Sequence, residues 1–293
     1  MPYNRVDTLI AARTKILLDA YKKAAKHLDA IARDTASTSF QRWRAEQLLS
    51  QVRKEVRALN EIAIQWSAKN IPKIYKTAGL EAAELIPSTG YRPDFGTVLN
   101  KSAIDALSGD MAADLITANN SIRMKFERFI RATQQTVLQD KAISERILGG
   151  LIEGETAQGV AHEIFKDLQD AIGEGKFITI NGRNYDPESY AELVTRTRTR
   201  EAVTQGILNT CIDAGIDLVR WSEHEDSCPL CEVYQGKIYS ISGKDKKYPK
   251  LVALPPLHPN CRHVLVPYVE IPEARKKGTP EQKIQTEQTK HPV

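Results

Sequence analysis

Five potential metal ligands in the C-terminal third of the chain constrain its fold more than any other feature. Cys228 and Cys231 are separated by two residues, and His258, Cys261 and His263 follow together in a later segment. Two cysteines at this spacing can chelate one ion from a tight turn, and zinc prefers four tetrahedral sulfur and nitrogen ligands. The pattern predicts a structural Zn²⁺ site that holds a loop-rich segment with a small core, because metal binding adds folding free energy.

The predicted zinc ligands are Cys228, Cys231, Cys261 and His263. Residues two apart in an extended segment face the same side, so Cys261 and His263 can reach one ion together. His258 is a fifth candidate for four positions, and it would lie just outside the ligands or take the place of His263. A site with four protein ligands is closed and leaves no position for a catalytic water.

Three other interpretations of these residues stay open. The cysteines can be reduced and unligated, Cys228 and Cys231 can form a disulfide, or the histidines can be ordinary turn residues. Ligand types that cluster at metal-site spacing in both stretches favour zinc. The remaining cysteine, Cys211, falls within a predicted helix and is interpreted as a small buried apolar residue.

Composition and length indicate an ordinary globular protein. A chain of 293 residues predicts about two domains, and 41% hydrophobic and 27% charged residues are enough to build a core. No stretch approaches the roughly 20 apolar residues that cross a bilayer. Charges interrupt the first residues too early for a signal peptide. We therefore expect neither membrane insertion nor secretion.

The N-terminal half reads as successive helices. The second of them carries an apolar stripe at helical spacing, formed by Leu48, Val52, Val56, Leu59, Ala63 and Trp66. Pro72 suits the first turn of a further short helix. A helix from Val98 to Leu148 is expected to break near Asn119-Asn120, and Gly149-Gly150 ends it.

The pattern changes in the C-terminal half. Thr156 caps a short helix, Asn181-Gly182 forms the turn of a β-hairpin, and a long helix runs from Pro187 to Ala214. Strands follow at 216–221 and 263–269, the latter at a sheet edge because it contains a proline.

The fold class predicted is α+β, with a mainly helical, elongated N-terminal region over residues 1–148. A small mixed domain with the zinc site follows over 149–270. A flexible tail over 271–293 completes the chain, since its composition is polar and lacks aromatic residues.

Charge is distributed unevenly along the chain. Residues 1–76 contain 15 Lys and Arg against 7 Asp and Glu, whereas the rest contains 26 and 30. A basic N-terminal region suits contact with nucleic acid or an acidic protein surface. Solvated helix faces explain the same excess equally well.

Three arginines alternate with threonines in the long C-terminal helix. Arg196 and Arg200 share a helix face, and Arg198 points away. Such arginines can grip a phosphate or a partner's carboxylates. Their spacing alone favours a solvated face or salt bridges to nearby acids.

Several short motifs of the C-terminal half occur in a recognisable order. They are Gly182-Arg183, the run Tyr190 to Arg200, Trp221-Ser222-Glu223-His224, Cys228-Pro229-Leu230-Cys231, Gln235-Gly236-Lys237-Ile238-Tyr239 and the run Pro255 to His263. Together they resemble phage minor capsid and head morphogenesis proteins, the group of the Mu F-like and minor capsid protein 2 families. Many Mu F-like members end the last motif Cys-Arg-Cys, where this chain has Cys261-Arg262-His263.

The resemblance implies a structural, non-enzymatic protein of the virion head, present in several copies at or near the portal vertex. It implies portal and capsid proteins as partners, assembly in the host cytoplasm, and a role in packaging or ejecting genomic DNA. The alternative is a zinc-supported nuclease or a toxin-like enzyme. That activity needs a metal-bound water or a general base in a cleft, for which no downstream helix offers the extra His or Asp.

Overall fold

The computed structural model describes residues 3–35, 42–87, 90–147 and 170–270. Predictions for Gly149-Gly150, for Thr156 and for the tail over 271–293 lie outside these ranges. Within them, three long helices come first: α1 (Asn4–Thr35), α2 (Arg42–Glu84) and α3 (Val98–Ile147). At 1.5 Å per residue, the 43 residues of α2 extend about 65 Å.

The apolar stripe of α2 is buried as predicted. Leu48, Val52 and Ala63 are fully inaccessible to solvent. The indole of Trp66 donates a hydrogen bond to the carbonyl of Arg13 at 3.0 Å, so α1 and α2 are joined by a polar contact as well as by their apolar faces.

Two predicted helix interruptions are wrong. Helix α2 continues through Pro72, because Ile71, Ile74 and Tyr75 on either side of the proline are fully buried. Packing of this kind offsets the backbone hydrogen bond that a proline removes. Helix α3 continues through Asn119, whose side chain is buried and donates a hydrogen bond to Oδ1 of Asn60 on α2 at 2.9 Å.

Helix α4 (Pro187–Asp213) begins and ends as predicted. The side chain of Asp186 accepts a hydrogen bond from the backbone of Ser189, and Gly215 follows the helix with a φ of 71°. Helix α4 contacts α1, α2 and α3. We call these four helices the helical body.

The crossing of α4 over α2 depends on glycine. A Cβ atom at Gly206 would lie 2.4 Å from the carbonyl oxygen of Tyr75, and one at Gly79 would lie 2.7 Å from Oγ1 of Thr210. Since real Cβ atoms do not approach so closely, the two backbones can meet at this distance only because these side chains are missing.

Two small antiparallel sheets complete the α+β fold. Strands β1 (Ile178–Ile180) and β2 (Arg183–Tyr185) form the predicted hairpin around Asn181-Gly182. Strands β3 (Leu218–Trp221), β4 (Ile238–Ser240) and β5 (Leu265–Pro267) form a sheet in the order β4-β3-β5. The strand that contains Pro267 lies at an edge, as expected.

The buried core continues from the helical body into the three-stranded sheet. Val203 and Ile207 of α4 belong to the same apolar cluster as Val219, Trp221 and Leu265. The division at residues 148/149 stays a prediction, because the stretch 148–169 lies outside the described ranges. In the part of the chain that is described, no helix has the length and apolar character needed to cross a membrane.

Candidate metal centre

The first cysteine pair lies on a short turn between β3 and β4. Cys228 precedes the one-turn helix α5 (Pro229–Glu232), and its carbonyl accepts hydrogen bonds from the amides of Cys231 at 3.0 Å and Glu232 at 2.9 Å. Trp221 and Gly236 frame the turn, since the amide of Gly236 donates to the carbonyl of Trp221 at 3.1 Å. The sheet therefore fixes where both thiols lie.

The second group of ligands lies on the chain that leads into β5. The amide of Cys261 donates to the carbonyl of His258 at 3.1 Å, and Asn260 between them has a φ of 69°. Ser222 holds the next residues, because its amide donates to the carbonyl of Val264 at 2.9 Å. Strand β3 thus anchors both groups. We call residues 218–267 the metal segment.

The five predicted donors come together. Cys228, Cys231 and His258 form one group and Cys231, Cys261 and His263 form another, each with donor atoms within 4.8 Å of one another. Cys231 belongs to both groups, and its sulfur lies 3.7 Å from that of Cys261. Zinc–sulfur bonds of about 2.3 Å in a tetrahedron place two sulfurs about 3.8 Å apart, so these thiols are already at ligand spacing.

Both histidines direct one ring nitrogen at a thiol. Nε2 of His258 lies 3.2 Å from the sulfur of Cys228 and 3.3 Å from that of Cys231. Nδ1 of His263 lies 3.7 Å from the sulfur of Cys261. A tetrahedral zinc ion puts sulfur and nitrogen ligands about 3.5 Å apart, and these distances fall on either side of that value. The residue types and their spacing fit zinc.

Burial and hydrogen bonding shift the pKa values of three of these donors in different directions. Burial, together with the neighbouring thiols, raises the pKa of Cys231 to about 12. The pKa of Cys228 is lowered, chiefly by a hydrogen bond from the backbone of Cys231. Burial lowers the pKa of His263 to about 4. The imidazole is therefore neutral and able to ligate, whereas the buried thiolate needs a nearby cation.

Aromatic rings and Gln235 form one wall of the cluster. The rings of Trp221 and Tyr234 are stacked with centroids 5.0 Å apart, and His224 meets His263 edge to face at 4.7 Å. Oε1 of Gln235 accepts a hydrogen bond from the amide of His224 at 3.1 Å and lies 3.4 Å from Nε2 of His263. Residue type and spacing gave no sign of the role of Gln235, although it lies in one of the motifs that carried the resemblance.

Each of the three arginines of α4 has acidic partners. Arg198 lies 2.8 Å from both Asp114 and Glu201, and Arg200 lies 2.9 Å from Asp7. Arg196 pairs with Glu192 at 2.5 Å. This arrangement agrees with the salt bridges that the spacing favoured, and Arg198 does point away from the face that Arg196 and Arg200 share.

Arg196 also connects the helical body to the metal segment. Its guanidinium donates to Oδ1 of Asn260 at 3.1 Å, within the turn that carries His258 and Cys261. A second link is close by, since the hydroxyl of Thr204 donates to the carbonyl of Pro255 at 2.6 Å. A cleft of about 840 Å³ opens beside this junction, between α1, α4 and residues 260–262. Sequence patterns gave no sign of it.

Cys211 is buried in α4, and burial raises the pKa of its thiol to about 12. The thiol is therefore neutral, in agreement with the interpretation of Cys211 as a small apolar residue.

Comparison with known protein families identifies a match. A family model described as phage minor capsid protein 2 matches residues 11–290, which include the whole metal segment and all of the helical body except the first turns of α1. No curated protein matches the chain, and no solved structure does.

Proposed function

Because this chain belongs to the phage minor capsid protein 2 family and is a structural protein of the virion, we propose that it acts at or near the portal vertex during head morphogenesis. Its partners there are the portal protein and neighbouring capsid proteins, and several copies serve each head. The family match over residues 11–290 carries this proposal. The long helices support it, since they offer extended surfaces for protein contact.

Several arginines of the N-terminal region are already paired with carboxylates. Arg53 lies 3.2 Å from Glu127, Arg5 lies 2.7 Å from Glu84, and Arg44 pairs with Asp34. Cations already paired with carboxylates release few counterions from DNA on binding. We assign packaging or ejection of DNA to the assembly in which this protein sits, with direct DNA contact through the remaining N-terminal cations a secondary role.

Purification from infected cells tests the portal assignment. An affinity-tagged chain isolated from partly assembled heads is expected to enrich the portal protein relative to the major capsid protein. Recovery with the major capsid protein in shell proportions, or with tail proteins alone, would contradict a place at the portal. Cryo-electron microscopy of the same particles should show extra density around the portal ring.

The metal centre is assigned an architectural role. We propose that Zn²⁺ is held by Cys228, Cys231, Cys261 and one of the two histidines, and that it joins the two turns of the metal segment. The ion supplies a cross-link where the strands have only three or four residues. Bound zinc also provides the cation that the buried thiolate of Cys231 requires.

Metal analysis tests this assignment. Full-length protein purified under reducing conditions is expected to contain one zinc ion per chain, and Co²⁺ should give the absorption of tetrahedral thiolate coordination. A triple variant with Cys228, Cys231 and Cys261 changed to serine should contain none. The assignment would be overturned if purified wild-type protein contained no metal and had the same melting temperature as this variant.

The nuclease alternative makes a different prediction. It requires an open metal position for an activated water, whereas five donors compete here for four positions. Zinc-loaded protein should leave supercoiled plasmid intact over the range of protein concentrations at which a control nuclease nicks it. Nicking that disappears in the triple serine variant would favour the enzyme.

A further inference from the structure

The two turns of the metal centre repeat one local design. Cys228-Pro229-Leu230-Cys231 and His258-Pro259-Asn260-Cys261 each place a donor, a proline, one further residue and a cysteine in series. In each turn the amide of the cysteine donates to the carbonyl of the first donor, at 3.0 Å and 3.1 Å respectively. Each turn therefore presents two donors three residues apart, and two such turns supply four ligands.

His258 is already oriented as a ligand. Its Nδ1 lies 2.7 Å from the carbonyl of Pro259, which assigns the proton to Nδ1 and leaves the lone pair on Nε2. That lone pair is directed at Cys228 and Cys231, with Nε2 3.2 Å and 3.3 Å from their sulfurs. The imidazole of the second turn thus reaches across to both thiols of the first.

His263 lies outside this pair of turns. It follows Cys261 by two residues and is 4% exposed, with its ring 5.9 Å from Trp221 and 4.7 Å from His224. Its nearest thiol is 3.7 Å away, on Cys261, and its other nitrogen lies 3.4 Å from Gln235. These contacts hold the ring against the sheet, beneath the thiols.

We infer that His258 is the fourth zinc ligand, completing a pair of equivalent turns, and that His263 is a positioning residue that holds Cys261 against the sheet. This inference rests on the proposed zinc site. It reverses the order of the two histidines that spacing alone predicted. The prediction from spacing favoured His263 because residues two apart face the same side in an extended chain. In the structure, the turn at Asn260 brings His258 back towards the thiols.

X-ray absorption at the zinc edge of the full-length protein distinguishes the two histidines. The wild-type shell should contain three sulfurs and one imidazole nitrogen. His258→Ala should lose the imidazole scattering and weaken zinc binding by more than about 100-fold, since even residues outside the ligand shell cost about 10–100-fold. His263→Ala should keep three sulfurs and one imidazole, and its zinc affinity should fall by only about 10–100-fold.

Conservative variants separate ligation from folding. His258→Cys should bind zinc tightly through four sulfurs, whereas His263→Gln should keep the wild-type shell and a lower melting temperature. Loss of imidazole scattering in His263→Ala but not in His258→Ala would overturn the assignment while leaving the zinc proposal intact. Retention of imidazole scattering in both alanine variants would also overturn the assignment. Either histidine would then be able to serve as the ligand when the other is absent. Wild-type protein without zinc would overturn both proposals.

Discussion

The helical body and the metal segment are stabilised in different ways. The helical body buries long apolar stripes, with residues such as Leu48 and Leu59 at most 1% exposed. The metal segment has strands of three or four residues and brings three thiols and two imidazoles together instead. Sheets this small bury little apolar area and need another source of free energy. If the proposed zinc is bound, one region depends on packing alone, whereas the other combines packing on the shared core with a ligand.

The largest effect should come from removing a thiol in the metal segment. Cys231→Ala is expected to lose zinc and unfold the metal segment, because structural zinc contributes about 10 kcal/mol or more to small sites. Cys211→Ala in the helical body removes an equally buried sulfur and should cost only about 1–2 kcal/mol, with zinc unchanged. Hydrogen exchange of residues 218–267 measures the difference. Equal effects of the two substitutions would remove the contrast between the regions.

A core truncation in the helical body should have the next largest effect. Leu59→Ala should lower the free energy of unfolding by about 2–5 kcal/mol, since the side chain is 1% exposed. Leu80 lies on the same helix and is 46% exposed, so Leu80→Ala should change the free energy of unfolding by about 0.5 kcal/mol or less. Urea unfolding followed by circular dichroism measures both. Zinc content should stay at one ion per chain in each variant.

Loss of Arg198 should destabilise the contact of α4 with α3 by a smaller amount. Its side chain is 24% exposed and pairs with Asp114 and Glu201, so Arg198→Gln should cost about 1.5–3 kcal/mol. Arg196 has a side chain that is 55% exposed and pairs with Glu192, so Arg196→Gln should cost about 1 kcal/mol or less. Thermal unfolding of the two variants tests this order, and the reverse order would contradict the assigned packing.

The last effect concerns pH. Burial lowers the pKa of Lys125 to about 8, where its ammonium donates to the carbonyl of Lys176 at 2.8 Å. Between pH 8 and about 10.4, the usual lysine value, the folded state therefore binds fewer protons than the unfolded state. The contribution of Lys125 to stability should rise with pH across this window. The unfolding free energy of the wild type minus that of Lys125→Met should increase accordingly, and a flat difference would contradict the assigned burial.

Local signals predicted the elements well. Three features that depend only on neighbouring residues are found where expected. They are the stripe from Leu48 to Trp66, the Asn181-Gly182 turn and the ends of α4. The interruptions at Pro72 and Asn119 were wrong because buried neighbours and a partner on another helix outweigh local preference. The acidic partners of the arginines were beyond prediction for a similar reason, since Asp114 lies 84 residues before Arg198.

The candidate site was predictable in membership but not in geometry. Residue type and spacing identified the five donors, and the fold brings them together. The same spacing could not show that Cys231 belongs to both groups of donors, or that Gln235 and Trp221 line the cluster. Those facts depend on how β3, β4 and β5 are paired, which short strands do not encode locally.

The close approach at Gly206 sets the alignment of α4 along α2. Long apolar helix faces are smooth enough to slide past each other by a turn at little cost in buried area. Here a slide by one turn would bring Ala202 or Thr210 to the carbonyl of Tyr75, where a Cβ atom has no room. Since Arg196 and Thr204 on α4 hold Asn260 and Pro255, one missing side chain in the helical body also helps to place His258 and Cys261, two donors of the metal segment.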